Sequence, residues 1–106
     1  MAIVRELRRR EVDHAADQNA GKRSERDGAR RKALGMAAGE PDLRLYFPGG
    51  RLVLVELKRQ KGVLSPAQKI RIPALRALGF TVHVLKARTP AEAVDKITTI
   101  IDGELR

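Results

Sequence analysis

Two acidic residues and a lysine stand out because the sequence around them is strongly basic. Residues 43 to 88 contain ten lysines or arginines and a single acid, Glu56. Glu56 interrupts an apolar run of leucines and valines, so its carboxylate needs a partner once that run is folded. Lys58 follows two positions later, and Asp42 precedes the segment. Two carboxylates can bind a divalent cation, and an ammonium group beside them can assist the hydrolysis of a phosphate ester.

The number of residues between the two acids predicts that they meet. Residues 42 to 47 alternate between polar and apolar side chains, a Pro-Gly-Gly turn follows, and residues 51 to 58 are typical of a buried strand. In a hairpin with a three-residue loop, counting back from the turn places Asp42 opposite Glu56. Lys58 shares their sheet face because side chains alternate along a strand.

Opposed carboxylates need a neutralising partner, since their Cβ atoms are only about 5 Å apart. Oxygen ligands suit Mg²⁺ or Mn²⁺ better than zinc, and the sequence has no cysteine. His14 and His83 are too far apart in the sequence to form a metal-binding motif, and we interpret them as bystanders. A simpler alternative is that Glu56 forms an ordinary ion pair with Lys58 or Arg44. The two interpretations differ in whether the carboxylates require a metal.

Two helices are predicted before the hairpin. Residues 1 to 21 indicate an N-terminal helix followed by a connection. A second helix is predicted from about Ser24 to Leu34, and this segment is strongly cationic. Its charges could bind phosphate or could simply be solvated, and the sequence leaves both interpretations open.

A helix, a strand and a further helix are predicted after the hairpin. Ser65 can cap the first of these helices, and Gln68 completes a capping box. Gly79 ends this helix, and Pro73 should kink or split it. Residues 80 to 85 have the composition of a strand, and a second capping sequence begins the final helix.

The order of these elements indicates an α/β domain with a small mixed β-sheet flanked by helices. At 106 residues the chain fits one compact domain spanning residues 1 to 106. We expect residues 1 to 21 to form the N-terminal helix and connection, and residues 22 to 106 to form the core.

The charge of the chain favours a polyanionic partner. Its net charge is +9 and its pI is near 10.8, which favours nucleic acid over a merely solvated basic surface or an anionic lipid. One tyrosine and two phenylalanines are too few for a platform on which single-stranded bases stack. With no apolar segment of membrane-spanning length and no secretory signal, we expect a cytoplasmic protein without membrane contact.

Five short motifs occur in an order and at a spacing that together form a specific pattern. They are Gly-Glu-Pro-Asp-Leu at residues 39 to 43, Pro-Gly-Gly-Arg at 48 to 51, Val-Glu-Leu-Lys at 55 to 58, Lys-Gly at 61 and 62, and Leu-Ser-Pro-Ala-Gln at 64 to 68. Between about Lys22 and Leu85 the chain therefore resembles the VRR-NUC (virus-type replication-repair nuclease) domain of the PD-(D/E)XK superfamily.

The resemblance implies a restriction-endonuclease-like core and roles for particular residues. Asp42 and Glu56 would hold Mg²⁺ or Mn²⁺, and Lys58 would position or deprotonate the attacking water. Gln68 matches a family glutamine expected to support the site, a role compatible with its capping box. The backbone carbonyl of Leu57 is a further candidate ligand.

Other implied contacts are less sharply defined. The family has an acid on its first helix, for which both Glu6 and Glu11 are candidates. Basic residues are expected to follow the nucleic-acid backbone, although each could equally be a solubilising surface charge. These residues are Arg44, Arg59, Lys61, Lys69, Arg23, Arg30 and Arg31.

The leading functional hypothesis is a metal-dependent DNA endonuclease. The resemblance implies a homodimer acting on branched DNA, such as four-way junctions, during replication, repair or recombination in a bacterial or phage-infected cell. A non-catalytic DNA-binding module that keeps the fold is the alternative, and a ribonuclease is a third possibility.

Overall fold

A computed structural model describes residues 2–16 and 38–105. In chain order, its elements are helix α1 (Ala2–Arg9), strands β1 (Asp13–Ala16), β2 (Leu43–Phe47) and β3 (Arg51–Arg59), helix α2 (Pro66–Ala77), strand β4 (Thr81–Ala87) and helix α3 (Pro90–Glu104). The helix predicted at Ser24 to Leu34 lies outside the described residues. No helix within the described ranges combines the length and the apolar character needed to cross a bilayer.

The strands form one mixed sheet in the order β1-β2-β3-β4. Pairing is antiparallel between β1 and β2 and between β2 and β3, whereas β3 and β4 are parallel. A parallel pair requires a crossover connection, which α2 provides. The predicted fold class, a small mixed sheet flanked by helices, is therefore confirmed.

The hairpin of β2 and β3 has the register that a three-residue loop predicts. Phe47 pairs with Arg51 across the turn, and the pairing continues without a bulge to the first residue of β2. One step further, the same register brings Asp42 level with Glu56. Asp42 itself lies in a bend, so β2 begins one residue later than predicted.

Two helical layers cover the sheet, one on each face. On one face, α1 and α3 pack against the sheet, and Val55 and Ile97 belong to the same buried cluster. On the other face, α2 packs against it, and Leu54 belongs to a second cluster with Ile72. Because side chains alternate along β3, Glu56 shares the face of Leu54 and points toward α2.

Helix α2 continues through Pro73 as one element, so of the two effects predicted for Pro73, a kink or a split, the split does not occur. Pro73 removes the hydrogen bond to the carbonyl of Lys69. Both residues are exposed, so water can solvate that carbonyl at little cost. The helix ends where predicted, with Gly79 in the left-handed conformation at φ 98°.

Strand β1 replaces part of the connection expected within residues 1 to 21. Its sequence, Asp-His-Ala-Ala, has neither alternating apolar residues nor β-branched ones. It is a strand because its backbone pairs with β2 along the edge of the sheet. Local sequence carries little information about such an edge strand, because pairing rather than propensity stabilises it.

Candidate active site

The site lies where the hairpin opens, just before the first residue of β2. Pro41 is fully buried and fixes the chain as it turns toward the strand. Asp42 follows, and its Oδ2 accepts a hydrogen bond of 3.0 Å from the backbone N–H of Leu57. The carboxylate thus takes the place that a strand carbonyl would occupy, and this contact fixes Asp42 at the edge of β3.

Glu56 is a buried carboxylate with two differently satisfied oxygens. Its side chain is 3% exposed. Its Oε2 accepts a 2.7 Å hydrogen bond from Gln68 Nε2 and lies 3.3 Å from Lys58 Nζ. Its Oε1 is buried and has no hydrogen-bond partner within residues 2–16 and 38–105. The ion pair with Lys58 therefore exists, but it satisfies one oxygen and leaves the other without a partner.

The charge of Glu56 is disfavoured by its surroundings. Burial raises the pKa of its carboxyl group, and the nearby Asp42 carboxylate raises this pKa further. Hydrogen bonds from Gln68 and Lys58 act in the opposite direction without overcoming the increase. A bound cation would relieve both the unsatisfied oxygen and the repulsion between carboxylates, so the residues present fit a divalent ion.

Gln68 connects the start of α2 to this carboxylate. Its backbone N–H donates to Ser65 Oγ at 3.2 Å, and the Ser65 N–H donates to Gln68 Oε1 at 2.9 Å. With Oε1 engaged by Ser65, the amide Nε2 is directed at Glu56. The contacts required by a capping box and by support of the site therefore coexist in one side chain.

A further set of contacts holds the segment before Asp42 against α2. Gly39 has φ +83°, and a Cβ there would lie 2.7 Å from the backbone carbonyl group of Ala67. The Nε of Arg71 donates to the carboxylate of Glu40. A glycine in this position is a recognisable sign of close backbone approach. The Arg71–Glu40 pair spans 31 positions, and no sequence pattern indicates it.

Comparisons with known proteins agree with this arrangement. The sequence model of the VRR-NUC domain matches residues 5–89, most of the chain. The chain belongs to the VRR-NUC family. A solved structure described as a VRR_NUC domain protein has a TM-score of 0.62 and 24% sequence identity, and the match covers 87% of this chain and 66% of that one. The comparison with curated proteins finds no match.

VRR-NUC membership gives the chain a nuclease-type domain. The match extends beyond the residues that carry the motifs, because it also includes most of α1, all of β1 and the whole of β4. The superfamily pattern of Pro-Asp followed by Glu-X-Lys coincides with Pro41-Asp42 and Glu56-Leu57-Lys58, which the hairpin brings to one end of the sheet.

The structure does not bring the first candidate for the VRR-NUC helix acid to the site. Glu6 accepts hydrogen bonds from Arg9 and Arg10, with Arg10 Nε at 2.9 Å. These contacts lower the pKa of Glu6 to about 2. Helix α1 packs on the sheet face opposite Glu56, and its first turn contains no acidic residue.

The second candidate, Glu11, lies at the wrong end of the sheet. It adjoins a cavity beside Tyr46 and Pro48, at the turn of the hairpin. The five residues of β2, about 17 Å in length, separate this turn from Asp42. Across residues 2–16 and 38–105, no three histidine or acidic side chains cluster in a way that could hold a metal.

The predicted DNA-contacting residues occupy several surfaces. Arg44 is half-buried on the same sheet face as Glu56. Lys61 and Lys69 are exposed, on the loop after β3 and on α2. Arg59 is exposed but alternates to the face opposite Lys58. The remaining predicted contacts lie outside the described residues: Arg23, Arg30 and Arg31.

Proposed function

We propose that this VRR-NUC chain is a Mg²⁺- or Mn²⁺-dependent DNA endonuclease whose catalytic residues are Asp42, Glu56 and Lys58. The observation that carries the proposal is the Glu56 Oε1 atom, which is buried, lacks a partner among the described residues and belongs to a carboxylate repelled by another. A protein that only bound DNA would be more stable with a neutral side chain there, since an unsatisfied buried oxygen destabilises a fold.

Asp42, Glu56 and the Leu57 carbonyl are the groups that would hold the ion. The Leu57 N–H points to Asp42, and in an extended strand the carbonyl of the same residue points to the same side. All three ligands are hard oxygen donors, which suits Mg²⁺ or Mn²⁺. When bound, such an ion polarises a phosphodiester and lowers the pKa of a coordinated water.

Lys58 is the group of the chain itself that acts on the substrate. Its side chain is mostly buried, with 20% exposed, and its ammonium group lies beside Glu56 Oε2. From there it donates to the attacking water or to a phosphoryl oxygen as negative charge develops. Gln68 is a positioning residue, because its hydrogen bond turns Oε2 toward Lys58 and leaves Oε1 for a ligand.

We further propose that the substrate is branched DNA, such as a four-way junction, and that the active form is a homodimer. The support is membership of the VRR-NUC family and the net charge of +9, which favours a polyanionic substrate. A symmetric pair of chains would present two sites to paired strands. A role in DNA replication, repair or recombination is part of the same proposal.

A cleavage assay tests the proposed activity. The purified protein is incubated with linear, flapped and four-way-junction DNA, and with RNA of the same sequences, in Mg²⁺, Mn²⁺ or EDTA. We expect DNA cleavage only with a metal and fastest on branched substrates. Lys58→Ala should lower the rate by about 100-fold or more, because it removes a donor to the developing charge. Lys96→Ala is the matched control and should change the rate little, because Lys96 lies on α3, on the other side of the sheet from Glu56.

Three outcomes would contradict the proposal. Binding of DNA without cleavage in either metal would favour the non-catalytic module. A preference for RNA would favour a ribonuclease. Unchanged cleavage by the Lys58→Ala variant would rule out the assigned mechanism.

A further inference from the structure

A cavity of about 580 Å³ lies on the sheet face opposite the paired carboxylates. Its floor is apolar and includes Ile3, Leu57, Leu85 and Ala93. It opens at the carboxyl ends of the parallel strands β3 and β4, where α/β sheets commonly bind ligands. Its volume is within the range of small-molecule sites.

Three arginines surround this floor, and we call the whole the arginine pocket. Arg5 comes from α1, Arg59 ends β3 and Arg88 follows β4. Among the residues that the structure describes, no acid lines the pocket. None of the ion pairs among the described residues involves any of these three guanidinium groups. The pocket thus combines an apolar floor with three guanidinium groups that form no ion pair among the described residues. An acid close to them is Glu92, which accepts a hydrogen bond from the Arg88 backbone N–H.

We propose that the arginine pocket binds one unpaired nucleotide of the DNA strand, next to the phosphate that is cut. The sugar and base would rest on the apolar floor, and the adjoining phosphates would contact the arginines. The position of the bound nucleotide next to the cut phosphate rests on the proposed nuclease function. The affinity of the arginine pocket for unpaired DNA does not.

The position of the pocket supports a nucleotide of the same strand. Residues 57 to 59 of β3 contribute to both sites, with Lys58 directed to the carboxylate face and Arg59 to the pocket face. Successive side chains of a strand extend to its two opposite faces, so the two sites are separated by the thickness of the sheet. A single strand passing the open end of β3 can cover this distance within a few nucleotides.

The apolar floor of the pocket favours an unpaired nucleotide over a base pair. A base can pack its face on an apolar surface only when it is turned out of its stack, and a paired base would first have to be unstacked at a cost. The floor contains no aromatic ring, so the contact is apolar packing and not base stacking. We therefore expect selectivity for single-stranded tails or gaps without strong sequence preference.

Fluorescence anisotropy in EDTA measures this binding without cleavage. The probes are a blunt duplex and the same duplex with an unpaired tail, each titrated at several salt concentrations. Wild-type protein should bind the tailed duplex more tightly. Arg5→Ala and Arg88→Ala should each weaken tailed binding about threefold to tenfold and reduce the salt slope by about one. Arg8→Ala, which removes the same charge one turn along α1 and outside the pocket, should preserve the preference for the tail.

A second variant tests the floor separately from the charge. Ala93→Phe fills the cavity and should reduce the preference for the tail without changing the salt slope, with a thermal melt to verify folding. The pocket is not a nucleotide site if Arg5→Ala and Arg8→Ala weaken binding of the tailed duplex equally. The same conclusion follows if the substitutions weaken binding of tailed and blunt duplexes equally. A mononucleotide competing as well as the tail would show a free-nucleotide site and would also contradict the proposal.

The two proposals can fail independently. A preference for the tail that depends on Arg5 and Arg88 in a protein that never cuts DNA would support the pocket and contradict the nuclease. Metal-dependent cutting without that preference would do the reverse.

Discussion

The buried position of Glu56 destabilises the folded protein. Its carboxylate is buried beside a second acid, and one of its oxygens has no partner among the described residues. Lys58 and Gln68 satisfy only the other oxygen. Natural proteins retain such destabilising arrangements mainly at functional sites. The same atoms that weaken the fold therefore form the ligand set that we propose for the metal.

Replacing Glu56 by glutamine should stabilise the metal-free protein. Because burial and Asp42 raise the pKa of Glu56 in the folded state, its favourable contribution is complete below its ordinary pKa and is lost as pH rises through the raised value. The Glu56→Gln variant should be as stable as the wild type near pH 4 and more stable than the wild type at neutral pH. A difference of about 1 kcal/mol would raise Tm by roughly 4–8 °C.

Thermal melts across this pH range check the effect, with Asp95→Asn on the exposed surface of α3 as the charge-matched control. Adding Mn²⁺ should reverse the order, because the ion stabilises only the chain that binds it. An unchanged or lower Tm of Glu56→Gln at neutral pH without metal would mean that the carboxylate is well satisfied.

At the scale of elements, the site depends on the close packing of the segment before β2 against α2. Gly39 approaches the backbone of Ala67 and Gln68 more closely than any side chain would allow. The Glu40–Arg71 ion pair joins the same two elements. Because Asp42 belongs to one element and Gln68 to the other, this packing sets the distance between the groups that flank Glu56.

Gly39→Ala should damage both stability and activity. Its φ of +83° costs an alanine about 1–2 kcal/mol, and the 2.7 Å approach to Ala67 adds roughly 1–3 kcal/mol of crowding. Gly49→Ala is the matched control, since Gly49 has φ +82° but open space around its Cβ position. Denaturant unfolding and cleavage rates compare the two variants. Equal losses in both would show that the contact with α2 does not matter.

The elements were predictable to different degrees. The hairpin register followed from the loop length alone. Once a three-residue turn pairs Phe47 with Arg51, each further pair along the two strands is determined. The capping box at Ser65 also followed from local chemistry. Strand β1 did not, since only its pairing with β2 makes its four residues a strand. The unbroken helix through Pro73 depends on solvent exposure, which the local sequence does not specify.

At the scale of the whole molecule, the sheet separates two kinds of chemistry. The face toward α2 carries the paired carboxylates with Lys58, and the face toward α1 and α3 carries the arginine pocket. The open end of β3 joins them. The chain carries a net charge of +9, which favours a long polyanion that can contact the two faces together.

The sequence predicted which residues would meet at the candidate site but not all of what surrounds them. Asp42, Glu56 and Lys58 lie together because two short motifs and one turn length determine their positions, and the packing of α2 adds Gln68. The candidates for the first-helix acid were not brought to the site, because a helix of eight residues has several faces and α1 directs Glu6 toward its own arginines. Long-range contacts such as Glu40–Arg71 depend on the finished fold.

The most direct test is a calorimetric titration of Mn²⁺ into the purified protein at neutral pH. The wild type should bind Mn²⁺ with an affinity that increases with pH, because Glu56 must lose its proton. Asp42→Asn and Glu56→Gln should each weaken binding by about tenfold or more, as expected for the loss of a charged ligand. Glu11→Gln, at the far end of the sheet, should bind as the wild type does. Equal affinity in the wild type, Asp42→Asn and Glu56→Gln would contradict a metal site between these two carboxylates.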